Sequence, residues 1–369
     1  MSWKEELNRS IRTASELAQV LNLSAEEEAR YAELIERYPL MVTPYYLSLA
    51  DLSDPDDPIR RMCIPSFDEF TPGGSFDTSG EASNTKLEGL QHKYRQTALL
   101  LSTNQCAMYC RHCFRKRLVG LSNEELNKRV DEAVDYVRDH EEISNILISG
   151  GDAFMNPNPI IERYLRELSE IDHLDLIRFG SRMPVTLPER VYGDPEFLDL
   201  FQNYSSKKAL YLVTQFNHPK ELTEEAYKAV RAMQERGVSV KNQIVLLRGV
   251  NDDPDTLAQL LKKLTQFGIA PYYIFQCRPV TGVKGRFQVP LLQGVRIVDE
   301  AKKKQNGLGK CLRYAMSHPR GKIEILGELS EGEMLFKFHQ NKYPEDAARI
   351  FTRKLKATDT WLDDDLNGI

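Results

Sequence analysis

From residue 98 onward the chain alternates between two kinds of apolar pattern. Short, nearly continuous apolar runs at 98–102, 145–149, 176–180, 209–215, 238–247 and 271–276 predict β-strands. Between them, stretches such as 123–138, 159–168, 221–236 and 254–267 repeat apolar residues at helical spacing. Strands alternating with helices imply a parallel sheet. Right-handed crossovers curl such a sheet toward a barrel. Six units are too few for the closed eight-stranded ring. The expected fold class is therefore α/β, a partial (β/α)6 barrel, with its chemistry at the C-terminal ends of the strands.

The flanks read differently. Residues 5–21 and 25–37 have helical apolar spacing, and Ser24-Ala-Glu-Glu-Glu looks like a capped helix start. Residues 51–90 are rich in Asp, Pro, Gly and Ser and read as a long irregular connection. Residues 291–369 mix helix and strand. Three regions are expected: an N-terminal helical extension and linker at 1–90, the barrel at 91–290, and an α+β cap at 291–369.

Composition narrows the class. The 369 residues are 41% hydrophobic and 28% charged, as in a water-soluble globular protein. A net charge of −5 gives no sign of a nucleic-acid partner. No apolar run reaches the roughly 18 residues of a membrane span. The opening MSWKEELNRSIRTASELAQ lacks the apolar centre of a signal peptide. Six cysteines, three of them scattered at Cys63, Cys277 and Cys311, do not make a disulfide framework. A reducing cytoplasmic location is expected.

The other three cysteines lie in QCAMYCRHCFRKR, residues 105–117. Cys106, Cys110 and Cys113, at gaps of four and three, can wrap one cluster from a single loop. Iron–sulfur clusters usually take four thiolates, so three suggest an open iron. A zinc knuckle is the alternative, but zinc wants a fourth Cys or His at regular spacing, and His112 is wedged beside Cys113. The segment resembles the radical S-adenosylmethionine (SAM) enzymes. That resemblance implies a [4Fe–4S] cluster held by Cys106, Cys110 and Cys113, with SAM on the open iron. Their partial barrel is the one the alternating pattern predicts. Gly150-Gly151-Asp152 closes the second strand; by itself it reads as an ordinary tight turn, but it is similar to the family's SAM-amine motif.

Further segments narrow the resemblance. Residues 38–47 (YPLMVTPYYL), 178–190 (RFGSRMPVTLPER), 215–222 (QFNHPKEL), 242–252 (NQIVLLRGVND) and 271–277 (PYYIFQC) resemble the lysine 2,3-aminomutase family, in order and at matching spacing. Those isomerases use pyridoxal 5′-phosphate (PLP) beside SAM and move an amino group from C2 to C3 of an amino acid. An unactivated C3–H bond needs a carbon radical, and PLP supplies the π-bond through which nitrogen migrates. The resemblance places the PLP lysine at Lys322, a PLP ring partner at Tyr94 and a substrate-carboxylate arginine at Arg115. Ser181, Arg182, Gln215, Asn242 and Gln243, at strand ends, would face SAM. Without the resemblance, Lys322 reads as a surface lysine, Tyr94 as a buried structural tyrosine, Arg115 as solvated charge, and the strand-end residues as partners of loop backbone.

The chain also departs from the family. The glycine-rich loop before the lysine is shortened to Pro319-Arg320-Gly321. Lysine-specific members carry an aspartate after the Gln-Cys pair to hold the distal ammonium; here that position is Arg278. Unless Arg278 turns away, this implies an acidic or other non-lysine substrate such as glutamate. The zinc cysteines of some members are missing, with Asp253 at the first position and no cysteine after Cys311, so no structural zinc is expected. The shortened loop keeps open a member that has lost PLP and acts on another substrate. A non-catalytic iron–sulfur scaffold would leave the Gly150–Asp152 turn and the strand-end polar residues without purpose. Expected partners are a small amino acid, an electron donor such as flavodoxin or ferredoxin, and a second copy of the chain, with no nucleic acid or membrane.

Overall fold

The computed structural model describes residues 2–121, 126 and 129–369. Its sheet has twelve strands hydrogen-bonded in chain order. They are β1 (Thr85–Leu87), β2 (Leu90–Tyr94), β3 (Thr97–Thr103), β4 (Asn145–Gly150), β5 (Leu176–Gly180), β6 (Ala209–Thr214), β7 (Ser239–Leu246), β8 (Ala270–Gln276), β9 (Arg313–His318), β10 (Gly321–Ser330), β11 (Glu333–Asn341) and β12 (Ile350–Lys354). Strands β3 to β8 pair in parallel and are the six expected from the apolar runs.

Strict alternation positions the site. In β7, Val240, Asn242, Ile244 and Leu246 are buried toward the helical layer, whereas Lys241, Gln243 and Val245 face an internal cavity. Strand β4 repeats the pattern, with Ile146 and Ile148 outward and Leu147 and Ser149 on the cavity. Period-two geometry makes each strand two-faced. The outer faces are covered by helices Asn158–Ser169, Glu224–Glu235 and Pro254–Gln266, whose apolar stripes are buried. Asp253 starts the last of these by accepting from Thr256 N (2.8 Å), the capping role expected of an aspartate at that position.

The sheet runs on past residue 290. Strand β9 pairs in parallel with β8, and β10 to β12 follow as an antiparallel meander. At the opposite edge β1 and β2 fold back antiparallel on β3. The two edges meet through side chains: Lys93 Nζ on β2 donates to His318 O on β9 at 2.6 Å, and Lys342 Nζ donates to Ser83 Oγ at 2.9 Å. The open side of the six-stranded barrel is thus filled by β9 to β11 and by residues 79–94.

Two local expectations change. The single helix expected over 5–21 is two, Trp3–Asn8 and Ala14–Leu21. Ile11 leaves the helix to pair with Val42 (3.0 and 3.1 Å), and a Thr13–Glu16 capping box starts the second helix. Strand pairing and a cap satisfy backbone groups that a continuous helix would otherwise hold. The connection at 51–90 is mostly irregular but contains helix Pro58–Cys63 and short turns Phe67–Phe70 and Glu81–Asn84. The helix expected over 123–138 begins outside the described residues; the described part is Val130–Asp139.

Candidate active site

A cavity of about 620 Å³ runs down the barrel axis, from the loops after β3 to β8 to the inner ends of β10 and β11. Its wall carries Cys106, Cys110 and Cys113, Gly150, Gly151 and Asp152, Ser181 and Arg182, Gln215, Gln243, Arg115, Arg278, Tyr94 and Lys322. Residues spread over more than 200 positions of sequence therefore share one chamber.

The cysteine loop leaves β3 and is held from several sides. Arg111 N donates to Met62 O, Tyr109 N to Met41 O, and Cys113 N to Cys110 O, at 2.9 to 3.0 Å. The three thiols stand on one rim of the cavity. Among the described residues no trio of His, Cys, Asp or Glu converges on a point suited to one metal ion. In an iron–sulfur cube each iron would take its own thiolate.

Gly150 and Gly151 have a reason the sequence reading did not supply. Gly150 has φ +121°, and a Cβ there would lie 2.2 Å from Thr103 O; one on Gly151 would lie 2.4 Å from Gln105 O. The close approach is thus to the cysteine loop of the same chain, sealed by Gly151 N to Thr103 O (2.5 Å) and Asp152 N to Gln105 O (2.8 Å). Asp152 accepts from Phe154 N (3.0 Å) and Arg182 N (2.7 Å), tying the turns after β4 and β5 together. Burial raises its carboxyl above the usual range, against those donors.

Arg182 reaches three groups: Nη1 meets Cys110 Sγ at 2.6 Å, Nε meets Gln215 O at 2.9 Å, and Nη2 meets Glu221 at 2.7 Å. Glu221, wholly buried, also accepts from Tyr46 Oη (2.6 Å), so the 38–47 segment is coupled to the cysteine rim through three side chains. Ser181 Oγ accepts from Met183 N. The Gln215 and Asn217 side-chain amides both meet Nε2 of buried His112 at 3.2 Å, and its Nδ1 has no partner among the described residues. Gln243 faces the cavity from β7. Asn242 does not. It is fully buried on the outer face, and its amide brackets Phe216 N and O at 2.7 and 3.0 Å. The expected SAM-facing role of Asn242 is corrected by strand alternation, since it and Gln243 must point to opposite faces.

At the far end Lys322 lies on β10, level with Ser317 of β9 and Gln340 of β11. Its Nζ is 4.3 Å from the Tyr273 ring centre, 5.6 Å from Phe275 and 6.0 Å from Tyr94. Burial pushes its ammonium down to about 7, and the charges of Arg178, Lys93, Arg278 and Arg313 act in the same direction. Arg320, two residues before Lys322, is not among these charges; it pairs with Asp346 through two bonds of 2.9 Å. Among the described residues the buried Tyr94 hydroxyl has no partner, and neither does Nε of Arg178. Such orphaned groups beside a lysine poised near neutrality fit a polar aromatic cofactor carrying an anionic group.

The sequence reading missed the charge of this chamber. Among the described residues, Lys93, Arg115, Arg178, Arg182, Lys241, Arg278 and Lys322 line it, against two carboxylates, Glu81 and Asp152. Lys241 and Arg178 could have been found by counting alternate positions inward from Gln243 and Gly180. Glu81 carried no such signal, because its stretch has no periodicity.

Residues 100–261 match the radical SAM superfamily. A relative from Aquifex aeolicus (strain VF5) is 42% identical over 342 residues, covering 92% of this chain and 91% of its own. The L-lysine 2,3-aminomutase of Clostridium subterminale is 38% identical over 300 residues, 80% of this chain and 71% of its own. The glutamate 2,3-aminomutase of Clostridioides difficile (strain 630) is 33% identical over 322 residues, 87% and 75% of the two chains. Family membership implies a [4Fe–4S] cluster and SAM, and the three thiols on one rim suit the cluster. With this identity spread over most of its length, the chain belongs to the lysine 2,3-aminomutase family of radical SAM enzymes and is an isomerase of the aminomutase type.

Proposed function

We propose that the chain is a PLP-dependent amino acid 2,3-aminomutase whose substrate bears a carboxylate or neutral group, rather than an ammonium, at its far end. The observation that carries this reading is Arg278. It follows β8 on the cavity wall, stacks 4.1 Å from the Phe114 ring and donates to Ser79 Oγ at 3.0 Å. Burial lowers its pKa to about 10, which still leaves it charged at neutral pH. A substrate ammonium facing a buried guanidinium meets repulsion and loses hydration, whereas a carboxylate gains a charge-assisted pair. Relatives named for lysine and for glutamate both occur, so family membership does not choose between them.

The roles follow position. Cys106, Cys110 and Cys113 would each hold one iron. The polar rim of Asp152, Ser181, Arg182, Gln215 and Gln243 would receive SAM, with Gly150 and Gly151 keeping the cysteine loop against β4. Lys322 would hold PLP beside Tyr94, with Arg178 and Lys241 available to its phosphate; when bound, PLP supplies the π-system through which an amino group can migrate. Lys322 is suited to that work because a large fraction of its amine is neutral near pH 7. Arg115 would take the substrate α-carboxylate, and the walls around Leu99, Leu147 and Val245 exclude water.

A second reading, a member without PLP, draws on the position of Lys322 two residues past the β9–β10 turn rather than in a longer loop. Borohydride reduction of protein incubated with PLP, followed by peptide mapping, separates the two: pyridoxyl label is expected on Lys322. A screen of amino acids for SAM-dependent β-amino acid formation should rank glutamate or a neutral amino acid above lysine. Faster turnover of lysine would overturn the substrate assignment.

A further inference from the structure

Glu81 comes from the 51–90 connection, yet it is buried in the cavity wall. Its carboxylate accepts from Arg115 Nε at 3.1 Å and from Arg117 Nη2 at 2.7 Å. Arg278 is a third cation within electrostatic reach of it. The Arg115 and Arg278 guanidiniums contact the same Phe114 ring, at 4.6 and 4.1 Å from its centre. Glu81 is itself held in place: its backbone N donates to Asp77 Oδ1 at 2.7 Å, and Ala82 N donates to Oδ2 at 3.1 Å. Gly80, at φ +68°, makes the turn that brings it there.

The bonding of Arg115 shows what Glu81 does. Nε is taken by Glu81, and Nη1 makes long contacts of 3.4 Å to Ser149 Oγ and Gly150 O. Nη2 has no partner among the described residues. Glu81 thus occupies one edge of the guanidinium fork and decides which edge a ligand carboxylate can meet. Charge gives a second constraint. Arg115 meets Glu81 through Nε, and Arg278 forms no ion pair with a carboxylate among the described residues, so both guanidiniums can still receive the two carboxylates of a dicarboxylic amino acid. With both guanidiniums on one phenyl ring, the carboxylates they read belong to a short molecule.

We propose that Glu81 is a positioning residue: it fixes the edge that Arg115 turns to the amino acid and matches the Arg115–Arg278 pair to a compact dicarboxylic substrate. This rests on the reading of Arg115 and Arg278 as the substrate-facing arginines. Misplacement of the substrate by about 1 Å can cost on the order of 100-fold in turnover.

The test uses the holoenzyme with L-glutamate. Glu81→Gln alone removes the ion-pair partner of buried Arg115, so Glu81→Gln is also paired with Arg117→Gln, which removes one charge of each sign. Affinity for glutamate, measured by calorimetry without reductant, should stay equal or tighten, because the net positive charge around Arg115 and Arg278 is not reduced. Turnover should fall about 100-fold while SAM cleavage continues, so that 5′-deoxyadenosine forms without matching β-amino acid. Glu81→Asp, which keeps the charge, should recover part of the coupling. Unchanged coupling in the Glu81 variants, or affinity and turnover falling together with the folded fraction, overturns the proposal. Arg115→Met separates the two levels. If it loses glutamate affinity while the Glu81 variants behave as wild type, the role of Glu81 alone fails; if it binds glutamate normally, the substrate reading of Arg115 fails and that role with it.

Discussion

Lys322 and Arg278 are both cationic side chains in one enclosed chamber, and burial affects them differently. A lysine can give up its proton, so burial and neighbouring cations bring Lys322 down to about 7. An arginine cannot do so at neutral pH and remains a fixed positive charge. The capture of PLP or of an acylating reagent by Lys322 should therefore rise steeply from pH 6 to 8 and then level off. An ordinary lysine would keep gaining reactivity toward pH 10 or above. Lys93 is lowered to about 7 as well, chiefly by burial, so the rate must be read by peptide mapping of Lys322. For Arg278, replacement by aspartate should raise the KM for glutamate by about 30-fold or more, equivalent to about 2 kcal/mol of lost charge pairing. An unchanged KM would mean that Arg278 does not meet the substrate.

At the scale of elements, two glycines join the loop after β3 to the end of β4. Gly151→Ala would drive a Cβ against the backbone oxygen of Gln105, which has no flexible side chain to give way. Overpacking of this kind typically costs about 1–3 kcal/mol, and relief must come from moving the cysteine loop. The variant is expected to fold with a lowered melting temperature and to bind less than half the wild-type iron, measured after reconstitution. Full iron loading would show that the Gly151 contact does not set the loop. The same seam shows why Asn242 and Gln243 separate. Strand alternation sends one to the helical layer and the other to the cavity, whatever their shared polarity.

At the scale of the whole molecule, the cysteine loop is held by carboxylates that arrive from outside the barrel. Glu69, completely enclosed, bonds Arg111 (2.5 Å) and Lys116 (2.6 Å), and Arg286 stands 3.8 Å away. Burial by itself would raise the Glu69 carboxyl, but Arg111 and Lys116 outweigh it and hold it at about 2. A carboxylate depressed in the folded state stabilises fully above the ordinary range near 4.5, and that contribution disappears as pH falls toward 2. Glu69→Gln should destabilise the fold by about 3–5 kcal/mol, because it leaves buried cations uncompensated. Urea unfolding at pH 7 measures this, and the difference from wild type should narrow as pH is lowered through 4 to 2. No helix among the described residues is long and apolar enough to cross a membrane.

The sequence by itself determined the elements whose signal is local. The six parallel strands follow from continuous apolar runs, the Ala25–Arg37 helix from its Ser24 cap, and the cysteine rim from a spacing that only a tight loop satisfies. Family segments such as 215–222 also carried information, and the structure gives part of the reason: Asn217 and Glu221 tie β7, His112 and Arg182 together. Tertiary structure alone decided the partners of the charges. Glu69 and Glu81 lie in a stretch without periodicity, and the arginines hydrogen-bonded to them are 34 to 42 residues away in sequence. Likewise, Lys322 meets Tyr94 because the last strands fill the open side of the barrel. Periodicity reports which face of an element is buried. It does not report which distant charge will share that burial, because that pairing is fixed when the sheet curls and its two edges meet.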